Sequence, residues 1–322
     1  MSTSSNAPQY GRTTATREHH PKLIRIRIAT TAAPDVDEFI DWYAKGFGHQ
    51  VRERGTVAPT LASAWGAPAC AGRRYALLSL PSAPDVYLRV VESTPVPGFK
   101  PLLTFGWNAF EIILDDIQAV RARLADSPFK IIGEPRPLGF RPTIHAMQVV
   151  GPAQEVLYLA TETGDRSTSP LPLPNGLVGR PFIMVLGGPD IAAMREFYSR
   201  TFDLEPHPIR ASRGQTLQGA WGGTEDGTHP ITLLRLREHG NSMELDGYVK
   251  PGLCPRPRPP GELPPGNAMA SFSVPSLGDL DLPYLGQPTA HEGLAYAGAR
   301  AATLRGPAGE LIELIEEPDR GG

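Results

Sequence analysis

Five side chains along this sequence are of types that hold anions, stack on rings or move protons: Arg27, Trp107, Glu111, His145 and Tyr158. Arg27 stands in the alternating run Leu23 to Thr30, which reads as a strand with Ile24, Ile26 and Ile28 on one face and Arg25, Arg27 and Ala29 on the other. Its guanidinium can grip a carboxylate or enolate with two parallel hydrogen bonds. Trp107 and Glu111 fall on one side of a strand read over Trp107 to Ile112, an indole on which a ring can stack and a carboxyl that can exchange a proton. Tyr158, in a strand over Val156 to Thr161, and His145, in one over Ile144 to Val150, are further proton-transfer groups. Each also has a structural use: Arg27 can pair at a sheet rim, Trp107 can fill a core, Tyr158 can be a satisfied phenol, and His145 can hydrogen-bond within its sheet.

The elements that must position these groups occur twice. Residues 33 to 48, which include Pro34-Asp35, Trp42-Tyr43 and Phe47, return 155 positions later with Pro189-Asp190, Phe197-Tyr198 and Phe202 in the same places. Asp35 reads as an N-cap with Glu38 three residues on, and apolar residues at 36, 39, 40, 43 and 47 make one stripe of a 3.6-residue period ended near Gly46 and Gly48. A Thr-Leu-x-x-Ala-Trp-Gly frame holds Trp65 and then Trp221. Gly151-Pro152-Ala153-Gln154-Glu155-Val156-Leu157-Tyr158-Leu159 returns as Gly306-Pro307-Ala308-Gly309-Glu310-Leu311-Ile312-Glu313-Leu314. Duplication on this scale sets the architecture. Features kept in both copies read as packing, so positions where the copies differ are the better site candidates.

The expected organisation is a disordered tail over 1–21 that includes His19-His20, a first half over 22–165, a Ser-, Pro- and Gly-rich linker over 166–179, a second half over 180–317, and a short tail over 318–322. The net charge of −3 offers no basic field for nucleic acid. No apolar run reaches membrane length, so the expected partner is a small molecule rather than nucleic acid or a membrane. Two cysteines, Cys70 and Cys254, cannot form a disulfide framework, and no apolar signal region opens the chain, so a reducing cytoplasm is the expectation. There is no Gly-x-Gly-x-x-Gly after a strand, no phosphate-binding Gly-Lys-Ser/Thr loop and no Gly-x-Ser-x-Gly elbow.

A first strand, a Pro-Asp-capped helix ending in an aromatic-Tyr pair, and a closing Gly-Pro-x-Gly-x-x-Ile-Glu-Leu strand together resemble the vicinal oxygen chelate superfamily, which includes glyoxalases, extradiol dioxygenases and bleomycin resistance proteins. The resemblance spans residues 23 to 317. It implies an α+β fold of two tandem domains, each of paired βαβββ modules whose curved mixed sheets surround a cavity. It also implies a divalent iron, manganese or zinc ligated from the first strand of modules and from the Glu of the closing strand. Those positions hold Arg27 or Ile28, Trp107 and Tyr158 in the first half, and Phe182 or Ile183, Met269 and Glu313 in the second. Glu313 is the one metal candidate among them. His49, His207, His229, His239 and His291 fall in expected loops or turns, so the conventional metal site reads as lost, with a rearranged ligand set left open.

The expectation from these readings is an isomerase or lyase that uses general acid and base chemistry on a small aromatic or carboxylated molecule. Arg27 and Trp107 would bind it, and Tyr158, Glu111 or His145 would move the proton. A dioxygenase-like metalloenzyme around Glu313 and a binding or resistance protein without turnover are the alternatives, and the family makes a homodimer an expectation too. The proline-rich insertion over 251–265 reads as a loop over the cavity.

Overall fold

The computed structural model describes residues 18–224 and 226–317. Four modules follow one another. The first contains β1 (Ile26–Ala33), α1 (Val36–Phe47), β2 (Gln50–Thr56), α2 (Pro59–Ala64), β3 (Arg74–Leu80) and β4 (Ala83–Glu92). The second contains β5 (Thr104–Leu114), α3 (Ile117–Ala125), β6 (Lys130–Leu138), β7 (Arg141–Val150) and β8 (Val156–Glu162). The third contains β9 (Val178–Gly188), α4 (Ile191–Phe202), β10 (Arg210–Arg213), α5 (Gln215–Trp221), β11 (Thr228–Arg235) and β12 (Ser242–Gly247). After the two-residue β13 (Cys254–Pro255), the fourth contains β14 (Gly266–Val274), β15 (Thr289–Ala290), β16 (Arg300–Arg305) and β17 (Leu311–Glu316). The fourth module differs from the expected strand–helix–strands pattern: residues 275–288 contain no helix and place Leu277 and Leu280 in the core instead.

The sheets do not follow the sequence halves. One runs β15-β16-β17-β14-β1-β4-β3-β2 and so joins the first module to the fourth; the other runs β10-β11-β12-β9-β5-β8-β7-β6 and joins the second to the third. In each, two first strands meet antiparallel at the centre, β1 with β14 and β5 with β9. One apolar core lies between the sheets and under the helices, with Ile26 and Ala29 of β1, Phe110 of β5, Met184 of β9 and Phe272 of β14 in it.

The duplicated helix forms for the reason its sequence suggests. Asp35 accepts hydrogen bonds from the Asp37 and Glu38 amides at 2.9 and 3.0 Å, and the chain leaves α1 through Gly48 at φ 80°. Its copy α4 is capped by Asp190 and ends on Asp203, which holds the left-handed conformation at φ 52°. Asp203 also receives the His19 ring and the His20 amide at 3.1 and 3.0 Å, so the end of the expected tail is tied down; residues 1–17 and 318–322 lie outside the described residues.

The helix and the closing hairpin, read as two repeats, are two ends of one contact. The Tyr43 hydroxyl donates to Glu155 Oε1 at 2.8 Å, and Tyr198 donates to Glu310 Oε1 at 2.5 Å. The second carboxylate oxygen of each takes the Ala153 or Ala308 amide at 2.8 Å. Glycine opens the hairpin because the carboxylate folds back onto it: a Cβ on Gly151 or Gly306 would sit 1.9 Å from the Glu155 or Glu310 oxygen. Each pair ties one module to the next along the chain, and therefore one sheet to the other.

Candidate active site

The 155-position repeat and the strand registers define equivalent corners on the two concave faces. On the first sheet Thr30 of β1 pairs with Arg89 of β4, and Ser271 of β14 pairs with Glu313 of β17. On the second, Val185 of β9 pairs with Glu244 of β12, and Glu111 of β5 pairs with Tyr158 of β8. Arg89 thus corresponds to Glu244, and Glu313 to Tyr158.

The first face is filled by an ion pair. Arg89, 2% exposed, donates to Thr30 Oγ1 at 3.0 Å, to the Tyr296 hydroxyl at 2.6 Å and to Glu313 Oε2 at 2.9 Å, and its guanidinium lies 4.4 Å from the Trp65 ring centre. Glu313 Oε1 accepts from Trp65 Nε1 at 2.7 Å and from the Tyr296 hydroxyl at 2.6 Å, and Oε2 also accepts from Ser271. Burial alone would raise the Glu313 carboxyl; the Arg89 charge and the Ser271, Tyr296 and Trp65 hydrogen bonds outweigh it and hold the group below the ordinary carboxylate range. Both oxygens are spent on donors, and a fixed cation stands at the corner. The remaining cavity beside Trp65, Arg89 and Tyr296 is about 20 Å³, room for roughly one water molecule.

The second face is different in kind. Glu111 and Glu244 form no hydrogen bond or ion pair among the described residues, and no basic group figures among the charges that act on either. Burial first, and the Asp246 charge second, push the Glu111 carboxyl up to about 7. The same two causes, with Glu111 third, push Glu244 well above the carboxylate range. Asp246 is held by His229 Nε2 at 3.1 Å. Tyr158 stands beside Glu111, and burial followed by the Asp246, Glu244 and Glu111 charges holds its phenol protonated far above neutrality. The buried Tyr248 hydroxyl, 4% exposed, has no partner among the described residues, and its ring packs on Trp221 at 5.0 Å and Phe105 at 6.5 Å.

The expected site residues separate accordingly. Arg27 lies on the first sheet, where it donates to the Ala295 carbonyl at 3.3 Å and sits 3.4 Å from Glu317, so it cannot share a ligand with Tyr158 and Glu111 on the second. Burial, then the Arg25 charge, lower its affinity for the proton. Trp107 does not stay beside Glu111. A break in register between Trp107 and Ala109 turns it into the core between the sheets, where its Nε1 donates to the Leu311 carbonyl at 2.7 Å and its ring lies 6.1 Å from Phe272. His145 pairs with Thr161, whose hydroxyl binds the Asp115 carbonyl ahead of α3, so it is on the helix side of β7, opposite Gln148, the partner of Tyr158. Glu111 and Tyr158 are the two expected residues that the fold brings together. Glu244 and Asp246 lie on β12, where Ser-Met-Glu-Leu-Asp-Gly alternates like a strand and is the sequence signal for them, and Tyr248 follows it. Arg89 is masked in the sequence by the apolar run Val86 to Val91 around it. His229, expected in a loop, is on β11.

Neither face offers the ligand set that the resemblance implies. Among the described residues no group of three or more His, Cys, Asp or Glu is placed to hold a metal ion. On the first face Arg89 takes the place of a ligand and Glu313 is saturated. On the second, the equivalent corners supply one carboxylate, Glu244, and one phenol, Tyr158.

No protein-family model matches the sequence, and no curated protein matches it. Solved structures do. Glyoxalase I from Zea mays superposes with a TM-score of 0.59 at 17% identity, covering 91% of this chain and 92% of that one. A candidate dioxygenase from Bacillus subtilis gives a TM-score of 0.57 at 11% identity, covering 93% and 87%. The chain has the vicinal oxygen chelate fold. In this fold the two paired-module sheets are present with their concave faces differently furnished, one sealed by an ion pair and one carrying uncommitted acids. The described residues include no helix long and apolar enough to cross a membrane.

Proposed function

We propose that the chain is an enzyme that moves a proton on a small aromatic molecule at the concave face of the second sheet, with Glu244 or Glu111 as base and Tyr158 as hydrogen-bond donor to the oxygen that gains charge. The observation that carries this reading is that Glu111, Glu244 and Tyr158 share one face and none has a hydrogen-bond partner among the described residues. A carboxyl that titrates near neutrality is suited to accept and return a proton at physiological pH. Trp221, Tyr248 and Phe105 supply an aromatic wall. Arg27, the group that would grip a substrate carboxylate, lies on the other sheet, so the proposed substrate is aromatic and not required to be carboxylated. The scaffold shared with the fold neighbours is one that hosts small-molecule chemistry.

The test is solvent deuterium incorporation into a panel of enolisable aromatic ketones, which reports proton abstraction whatever the net reaction. The expected result is catalysed exchange that falls by about 10²- to 10⁴-fold in Glu111→Gln or Tyr158→Phe and is unchanged in Arg27→Ala. Exchange that survives in the Glu111→Gln, Glu244→Gln, Tyr158→Phe triple variant sinks the assignment.

A further inference from the structure

On the second concave face neither Glu111 nor Glu244 is paired with a cation, and that limits what can occupy it. Glu111 on β5 and Glu244 on β12 flank β9, and Asp246 follows Glu244 on the same side of β12. The cations within reach are committed elsewhere. Arg256, from the proline-rich insertion, spends its guanidinium on Thr104 Oγ1, the Asn267 and Trp107 carbonyls and Asn108 Oδ1, at 2.6 to 3.1 Å. Lys250 donates to the Trp221 carbonyl at 2.5 Å. His229 is engaged with Asp246.

An acidic cluster alone would say little, but a second feature points to a ligand. The Tyr248 hydroxyl is buried without a partner, although an unpartnered buried hydroxyl is costly. Tyr158, Asp246 and Glu244 all act on this hydroxyl electrostatically, with the Arg256 charge opposing them, so it belongs to the same cluster. Opposite Asp246 on β9 the chain has Gly187, where a Cβ would meet the Tyr248 ring at 2.5 Å, so the phenol fits only because that side chain is missing.

We infer that this face binds an organic cation, a protonated primary amine carried on an aromatic body, with the ammonium between Glu111 and Glu244 and the ring against Tyr248 and Trp221. The ammonium has three donors, which can serve the two carboxylates and the Tyr248 oxygen together. A bare metal ion fits less well, because no group of three or more His, Cys, Asp or Glu among the described residues is placed to hold one and Asp246 already has its partner. The inference deepens the proposed proton transfer by naming the substrate class, and rests on the same face being the site.

The test is calorimetric titration of the full chain near pH 8 with benzylammonium, benzyl alcohol, benzoate and manganese(II), each alone. The expected result is binding of benzylammonium alone, weakened about ten- to a hundredfold in both Glu111→Gln and Glu244→Gln, with the unligated melting curves showing both variants folded. A second readout is proton release on binding, seen as a dependence of the heat on buffer ionisation, which Glu244→Gln should reduce. Benzyl alcohol or benzoate binding as tightly, with Glu244 dependence, overturns the cation and leaves proton transfer at this face standing. Manganese binding in place of the amine, or no binding by any probe, also overturns the cation. Benzylammonium binding undiminished in both variants overturns the cation site and the proposed location of the chemistry together.

Discussion

Glu313 and Glu244 are both carboxylates on strands that end a module, yet removing their charge should have opposite effects on stability. Glu313 is saturated by Arg89, Trp65, Tyr296 and Ser271. Glu313→Gln strips the partner from a fully buried guanidinium, and the expected cost is about 3–5 kcal/mol. Replacing Arg89 and Glu313 together by apolar side chains of similar volume should recover much of that loss, since the pair repays little beyond its own desolvation. Glu244 is half-buried with no such partner, and burial with the Asp246 charge disfavours its ionised form. Glu244→Gln is therefore expected to raise the melting temperature near pH 8, as is common where a side chain is kept for a function rather than for the fold. Urea titrations of the single variants and the Arg89/Glu313 double variant decide both points; a Glu244→Gln protein less stable than wild type near pH 8 contradicts the second.

At the scale of elements, the paired tyrosines and hairpin glutamates make a prediction in duplicate. Tyr43→Phe and Tyr198→Phe each remove the donor to a buried carboxyl while leaving the ring packed, and each is expected to cost about 1–3 kcal/mol. The two contacts share no residue, so the double variant should lose the sum to within about 0.5 kcal/mol. A strongly non-additive result would mean that the two contacts are coupled through the shared core. Much of this level was legible in sequence: α1 and α4 form where their apolar stripes and Asp caps put them, and both hairpins follow their repeated glycine. What was not legible is the pairing of modules, because a repeat reports that two segments are alike and not which one each will lie beside. Reading the halves as separate cavities put Arg27 with Tyr158. Strand alternation likewise placed Trp107 beside Glu111, and a local break in register, invisible to a period-2 count, turned it away.

The whole molecule carries several buried carboxyls at once, and their sum sets how stability varies with pH. Burial raises Glu111, Glu155 and Glu310 to about 7 from an ordinary 4.5, and raises Glu244 well above it too. Between those values the folded chain holds protons at these groups that the unfolded chain has released, so stability falls as pH rises from about 4.5 to 7. Two histidines oppose this. Burial lowers His49 to about 3 and lowers His291 as well, so below 6.5 the unfolded chain takes up protons there that the folded chain refuses. Four carboxyls against two imidazoles leave the carboxyl slope in control across the window. Below about 4.5 the sign reverses, because Glu313, Glu317 and Asp85, held low by their arginines, must then be protonated. The expected profile has its maximum on the acid side of neutrality, near about pH 5, and declines toward pH 7. Urea midpoints measured across this range check it, and a Glu111→Gln, Glu244→Gln double variant should show a shallower decline while the Tyr43 and Tyr198 contacts keep theirs. Stability that climbs steadily from pH 5 to 7 would contradict this account, since Glu155 and Glu310 alone already offset the two imidazoles.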